Sequence, residues 1–278
     1  MTASHGQASA APSIAIYAPR ERARAMLRAA FPRRRNHVRV VRAAPAFETV
    51  FRETLVDAAI VDFGGIGTAT EDTWRVAAFA REFPSVPFFG LLPLRASDGP
   101  TVAQCASYDF VDVLIEGVDD GAARELVLRD SFSSRFIRAL AEPPRALALC
   151  SPLQQTAWRA IVVRAGRGVR TDSLAKSLRV TREHLSRSFA ADGGPNLKRV
   201  IDLVRLLAAA ELAKNPGYDV RDVANVLGFA SASHLSTTSQ RIVGTKSASL
   251  SRLRTVDLVD RFVRGHGRSR GADASRSG

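Results

Sequence analysis

The chain has 278 residues, 46% hydrophobic and 24% charged, enough to bury two cores of ordinary size, and its apolar runs are too short and interrupted to cross a bilayer. Cys105 and Cys150 offer no metal-ligand spacing and no disulfide framework, which excludes a stapled scaffold and makes a reducing cytoplasm the expected compartment. The net charge of +13 is lopsided, 18 Arg against 17 acids in residues 1–150 and 22 Lys plus Arg against 10 acids in 151–278, so a polyanion partner is expected for the second half alone, a solvated Arg-rich surface being the bland alternative.

Residues 1–12 are small and polar and read as a disordered tail without an export signal. From 13 to 141 strand and helix patterns alternate, with strands at 14–17, 38–42, 58–62, 88–92 and 110–115. Helices are expected at 21–30, 46–55, 71–82, 100–107 and 121–140. This alternation predicts an α/β domain with a parallel, doubly wound, flavodoxin-like sheet whose functional loops lie at the carboxyl ends of the strands.

Asp62 ends the third strand in DAAIVDF, and Gly64-Gly65-Ile66-Gly67 follows it. The layout resembles a response-regulator receiver domain, and the resemblance puts Asp62 at the phosphoacceptor position. The rest of that constellation departs from the family. Ala18-Pro19-Arg20 stands in place of the acidic pair, Leu92-Pro93-Leu94 offers no hydroxyl, and Glu116-Gly117 replaces Lys-Pro. Phosphoryl acceptance needs Mg²⁺ held by several oxygens and a neutralising cation. Asp62 is therefore a candidate phosphoacceptor weighed against a capping or structural role. The glycine-rich loop fits no nucleotide-binding pattern and reads as a plain turn rather than an anion cradle. Only His5 and His37 occur in this half, with no Ser/His/Asp or Cys/His arrangement, so neither an enzyme nor a cofactor is expected. The domain reads as a degenerate receiver used for dimerisation or signal input.

Residues 142–151 read as a proline-stiffened linker, followed by a lead-in helix, PLQQTAWRAIVVRA, with Trp158, Ile161 and Val162 inward. Beyond it lies an internal repeat: DSLAKSLRVTREHLS from Asp172 and RDVANVLGFASASHLS from Arg221. Ala175 and Leu178 match Ala224 and Leu227, and His184-Leu185-Ser186 match His234-Leu235-Ser236, one extra residue falling in the second turn. Each copy reads as helix, tight turn, helix. Asp172 or Ser173 is expected to cap the first helix of one copy and Asp219 that of the other, Thr181 to cap the second helix, and Gly228 to supply a left-handed turn residue. Between the copies 197–212 contains no Gly or Pro and predicts a helix of about 24 Å, opened by Gly193-Gly194-Pro195 and closed by Asn215-Pro216-Gly217.

Residues 152–256 resemble the AraC/XylS-type DNA-binding domain, an all-α domain of two helix-turn-helix units on a long helix. The shared marks are LAxxLxVTxxHLSRxF at Leu174–Phe189, Gly194-Pro195, RLxxAxxL from Arg205, VxxVAxxLGFxSxSHL from Val220, and Gly244. Departures fall in the last recognition helix, where Leu235 and Ser239 hold aromatic positions, Thr237 a basic one and Ser247 a proline. A second unit that packs less firmly and grips phosphate less well is expected, with Arg241 and Lys246 compensating in part. Residues 257–278 read as an extension, disordered from 265 onward and rich in Arg.

The resemblance implies double-stranded DNA as partner, with 182–189 and 231–242 entering successive major grooves, and adds RNA polymerase and a second copy of the chain as expected partners; no membrane is expected. Arg182 and Arg187 are the candidate guanine readers, since guanidinium pairs bidentately with guanine. Glu183 accepts from cytosine or serves as a capping-turn acid, and His184 and Ser186 contact bases or backbone. In the second helix Ser231, Ser233, His234, Thr237 and Gln240 are short polar candidates. Lys176, Lys198, Arg221 and Arg241 are candidate phosphate contacts. Against these stand solvated surface roles for each Arg and a shared packing role for His184 and His234. The leading expectation is a bacterial sequence-specific transcription regulator. The alternatives are a protein-interaction adaptor with weakened or nonspecific DNA binding, and a regulator switched by phosphorylation of Asp62.

Overall fold

The computed structural model describes residues 11–65, 70–190 and 194–274, the side chains of 266–274 excepted. The expected tail up to residue 10, Ile66 and Gly67 of the glycine-rich loop, Gly193 and the last four residues lie outside the described residues. Among those described, no helix is long and apolar enough to cross a membrane. The chain divides into two compact units: one holds 11–135 with Lys214–Asp222, the other holds 136–213 and the chain from Val223 onward.

In the first unit β1 (Ser13–Tyr17), β2 (His37–Val41), β3 (Ala58–Asp62), β4 (Phe88–Leu92) and β5 (Asp112–Ile115) form one parallel sheet in the order β2-β1-β3-β4-β5. This is the flavodoxin-like order, which reverses direction between β1 and β3 and opens a crevice beyond their carboxyl ends. Strands β1, β3 and β4 are buried along their whole length, as interior parallel strands covered on both faces must be. Edge strands β2 and β5 keep exposed positions.

Helices α1 (Glu21–Ala30), α2 (Ala44–Glu53), α3 (Glu71–Glu82), α4 (Gly99–Ser107) and α5 (Ala123–Asp130) alternate with the strands. On one face Ile14, Ile16, Ile60 and Phe89 pack with Leu27 of α1 and Val127 of α5. On the other, Phe88 meets Phe51 at 5.9 Å and Phe47 at 6.3 Å, and Phe79 of α3 joins them. Neighbours Phe88 and Phe89 thus serve opposite faces, as the pleat requires. Each fully buried Leu or Phe contributes about 1.5–3 kcal/mol.

The expected helix over 121–140 is divided. Its first part, α5, stops before Ser131, whose backbone turns extended (ψ 153°), and α6 (Phe132–Ala139) restarts at once. Asp57, fully buried, fixes the break: Phe132 N donates to its carbonyl at 2.8 Å and Ser133 N to its carboxylate at 3.1 Å. Apolar periodicity runs through the break and so conceals it.

The first unit also takes in a turn that the sequence assigns to the DNA-binding domain. Asn215, buried, accepts from Ser85 N at 2.8 Å and donates to Ser85 Oγ at 2.7 Å, and Tyr218 meets Phe83 edge-on at 4.8 Å. Lys214–Asp222, inside the stretch 152–256 expected as one domain, thus packs with the first unit.

The second unit is helical: α7 (Pro152–Val162), α8 (Thr171–Ser177), α9 (Arg182–Ala190), α10 (Leu197–Leu212), α11 (Val220–Val226), α12 (Ala232–Val243) and α13 (Thr255–Ala274), of which α11 begins within Lys214–Asp222. Helix α10 is buried on nearly every side because α7, α9, α12 and α13 pack round it. The expected linker over 142–151 differs from what forms: Leu147 and Leu149 are buried, and Trp158 Nε1 donates to Leu140 O at 2.8 Å, so this segment joins the helical core. Its alternating leucines outweigh its prolines. The expected extension likewise starts as structure. Leu258, Val259 and Phe262 are buried on α13, which packs against α10 and α12, and the backbone stays helical through Ala274 where disorder is expected from 265.

Candidate nucleic-acid interface

The two repeats fold alike, bond for bond. In the first, Val180 N donates to Ala175 O at 3.1 Å and Arg179 N to Lys176 O at 3.1 Å; in the second, Phe229 N donates to Ala224 O at 2.8 Å and Gly228 N to Asn225 O at 2.9 Å. Arg179 and Gly228 both take the left-handed conformation, at φ 56° and 66°, a region that costs a side chain with a Cβ roughly 1–2 kcal/mol. Thr181 caps α9 through His184 N at 3.1 Å, and Ser231 caps α12 through His234 N at 3.0 Å. Because turns and caps correspond, the extra residue of the second copy is Ala230, between Phe229 and its cap. Asp219 accepts from Asp222 N at 2.8 Å and so caps α11 as expected. Neither Asp172 nor Ser173 caps α8, which begins one residue earlier at Thr171; Asp172 lies in its first turn, where a negative charge favours the helix dipole, and pairs with Arg182 at 3.5 Å.

The apolar periodicity of α9 turns Leu185 and Phe189 inward, which leaves Arg182, Glu183, His184 and Arg187 exposed and Ser186 half-buried. Helix α12 buries Leu235, Thr238, Ser239, Ile242 and Val243 and exposes Ser231, Ser233, His234, Thr237, Gln240 and Arg241. Lys176, Lys198 and Arg221 are exposed too. The structure thus presents the candidate residues of each recognition helix on one polar face. His234 also serves locally: its Nδ1 accepts from Ala230 N at 3.4 Å and its ring meets Phe229 at 5.7 Å.

Ser239, at an aromatic position of the family, is fully buried and its hydroxyl donates to Thr245 O at 2.7 Å, while α13 covers α12 and α10 and brings in Phe262.

Three positioning residues escape a reading of sequence. Arg205 of α10 stacks on Phe229 at 3.8 Å and donates from Nη2 to Leu227 O at 3.1 Å, which pins the second turn; burial holds its pKa below the ordinary guanidinium value despite the charge of Asp202. Asp202 holds Arg241 at 2.8 Å, so this candidate phosphate contact is tethered to the central helix. Burial raises the Asp202 pKa above the usual carboxylate value, against the opposing charges of Arg241, Arg205 and Lys198. Gln154 of α7 donates to Ser188 O at 2.8 Å and ties α7 to α9. The one available signal is polar residues at inward positions of strongly apolar helices.

In the sheet-bearing unit the crevice beyond β1 and β3 is filled by Arg20. Its Nε donates to Asp62 Oδ1 at 2.8 Å and its Nη1 to Glu116 Oε2 at 3.2 Å, with both carboxylates buried. Burial opposes the Arg20 charge, but hydrogen bonds and attraction from Asp62 and Glu116 outweigh it and raise its pKa. Gly64 makes room: a Cβ there would lie 2.1 Å from Arg20 Cζ. Its N–H donates to Asp62 Oδ1 at 3.0 Å. Among the described residues no group of three or more His, Cys, Asp or Glu is arranged to hold a metal ion.

Residues 174–252 match the helix-turn-helix domain family. No curated protein matches the chain. Among solved structures the chain is similar to a response regulator from Thermotoga maritima, at 18% identity over 44% of this chain and 98% of that one, with a TM-score of 0.37. It is also similar to full-length FixJ from B. japonicum (13% identity, 82% of this chain, 96% of that one, TM-score 0.36) and to RcsB from Salmonella typhimurium (14%, 69%, 96%, 0.34). The chain carries a C-terminal helix-turn-helix domain of the AraC type behind an N-terminal domain of flavodoxin-like strand order.

Proposed function

We propose that the chain is a sequence-specific DNA-binding transcription regulator that inserts α9 and α12 into successive major grooves of one duplex. The observation that carries this reading is the pair of matched turns, each presenting one recognition helix with its apolar side buried and its polar side exposed. A central helix of about 24 Å suits two helices set about one DNA turn apart, roughly 34 Å. Arg187 is the guanine reader of α9, Arg182 stands exposed beside it at the start of the same helix, and Lys176 and Arg221 add sequence-blind phosphate attraction. The receiver-fold domain is a pseudo-receiver serving dimerisation or signal input: an arginine, not an open acidic pocket, lies against Asp62.

The test is selection of bound duplexes from a random pool, with Arg182→Ala/Arg187→Ala alongside. A motif spanning two major grooves, weakened in one half by the substitutions, is expected. Salt-sensitive binding without an enriched motif would overturn the reading and favour a protein-interaction adaptor.

A further inference from the structure

A cavity of about 470 Å³ opens between α9, the start of α10 and the end of α12, all within the helical unit. Arg182 and Ser186 line it from α9, Lys198 and Arg199 from α10, and Arg241 from α12. Its charge does not balance. Four cations meet one lining carboxylate among the described residues, Asp202, which already pairs with Arg241 at 2.8 Å, while Asp172 pairs with Arg182 at 3.5 Å from outside the lining, so Lys198 and Arg199 are the cations in excess.

Arg199 is the informative one. Its Nε and Nη2 are buried without a hydrogen-bond partner, and its guanidinium lies 5.1 Å from the Phe262 ring. Burial, and after it the charge of Arg241, lowers its pKa. A partly buried cation beside a like charge is unfavourable until an anion arrives. Lys198, Arg182 and Arg241 are exposed at the same opening, so an anion reaches it from solvent.

We propose that this groove seats a phosphate group, and that its source is one phosphodiester of the DNA backbone lying between the two recognition helices. The inference rests on the DNA reading above. DNA is favoured over a free anion because the lining residues belong to the recognition helices themselves, Arg182 and Ser186 to α9 and Arg241 to α12. A clamp there fixes register on the duplex without reading sequence. Arg182 then positions the protein and leaves Arg187 as the base reader of α9. Lys198 supplies the free point charge, while Asp202 aims Arg241 and Arg199 backs the site from within.

The experiment scans the selected duplex with single neutral methylphosphonate linkages. One position between the two half-motifs is expected to lose affinity with the wild type and to lose nothing further with Lys198→Gln or Arg182→Gln. Each variant's log K against log salt should be shallower by about one. A flat scan, or a loss undiminished in both variants, overturns the proposal and leaves groove reading standing. Failure to select any motif overturns the DNA reading first. A parallel arm titrates inorganic phosphate against chloride at fixed ionic strength. A rise in Tm that Lys198→Gln abolishes, together with a flat scan, would assign the groove to a soluble phosphate and overturn the DNA source.

Discussion

Arg20 and Asp62 form a two-pronged pair at the head of the sheet, with Nε to Oδ1 at 2.8 Å and Nη2 to the same oxygen at 2.5 Å, while Glu116 binds the other side of the guanidinium. A side chain of the protein thus sits between two buried carboxylates. The cation is covalently part of the chain and does not exchange.

Removing it should be costly. Breaking a buried pair from one side leaves charge uncompensated, at about 3–5 kcal/mol, so Arg20→Ala should lose that much in denaturant melts. Millimolar Mg²⁺ should recover part of the loss in the variant and change nothing in the wild type. Gly64→Ala should act in the same direction, since its Cβ would meet the guanidinium. Wild-type stability in Arg20→Ala would show that the bridge contributes nothing.

Phosphorylation of the wild type is expected to fail. Intact-mass analysis after incubation with acetyl phosphate and Mg²⁺ should show no adduct. An adduct absent from Asp62→Asn would prove the pocket open and the pseudo-receiver reading wrong.

Arg179 and Gly228 occupy equivalent left-handed turn positions, only one of them suited to the residue it holds. Arg179→Gly should stabilise the helical unit by about 1 kcal/mol, and Gly228→Ala should destabilise it by about as much. Urea melts of both variants decide the point. Equal and opposite shifts are the expected signature.

Arg205→Met keeps the bulk of the side chain but removes the stacking on Phe229 and the bond to Leu227 O. A loss of about 1–2 kcal/mol is expected, with amide exchange accelerating across 227–229 more than across 178–180. Uniform acceleration of both turns would deny Arg205 its local role.

Cys105 gives a pH signature. Burial pushes its thiol up to about 11 from an ordinary 9.0. The folded value lies above the unfolded one, so its contribution to stability is full below pH 9 and is lost as pH rises from about 9 to about 11. The stability difference between wild type and Cys105→Ala should narrow across that window. At pH 8 iodoacetamide should label exposed Cys150 and spare Cys105. Rapid native labelling of Cys105 would contradict its burial.

What the sequence determined by itself is whatever short-range pattern encodes. Helices over 21–30 and 71–82 and strands over 58–62 and 88–92 are readable to the residue, because periods of 3.6 and 2 require only neighbours. The repeated Ala, Leu and His-Leu-Ser positions disclose two copies of one turn, and Gly228 marks its left-handed residue. The same periodicity separates buried Leu185 and Phe189 from exposed Arg182 and Arg187, so the polar faces of both recognition helices are legible before any coordinates.

Only the tertiary structure decided the rest. Arg20 reads as a missing acid until the sheet brings it against Asp62, 42 residues away, and Glu116, 96 residues away. The break at Ser131 depends on buried Asp57, and the place of Asn215 depends on Ser85, 130 positions apart. Helix α13 packs on α12 although nothing in α12 announces it. In each case the deciding partner is distant in sequence and fixed by topology, and a buried polar group takes its meaning from the partner that satisfies it.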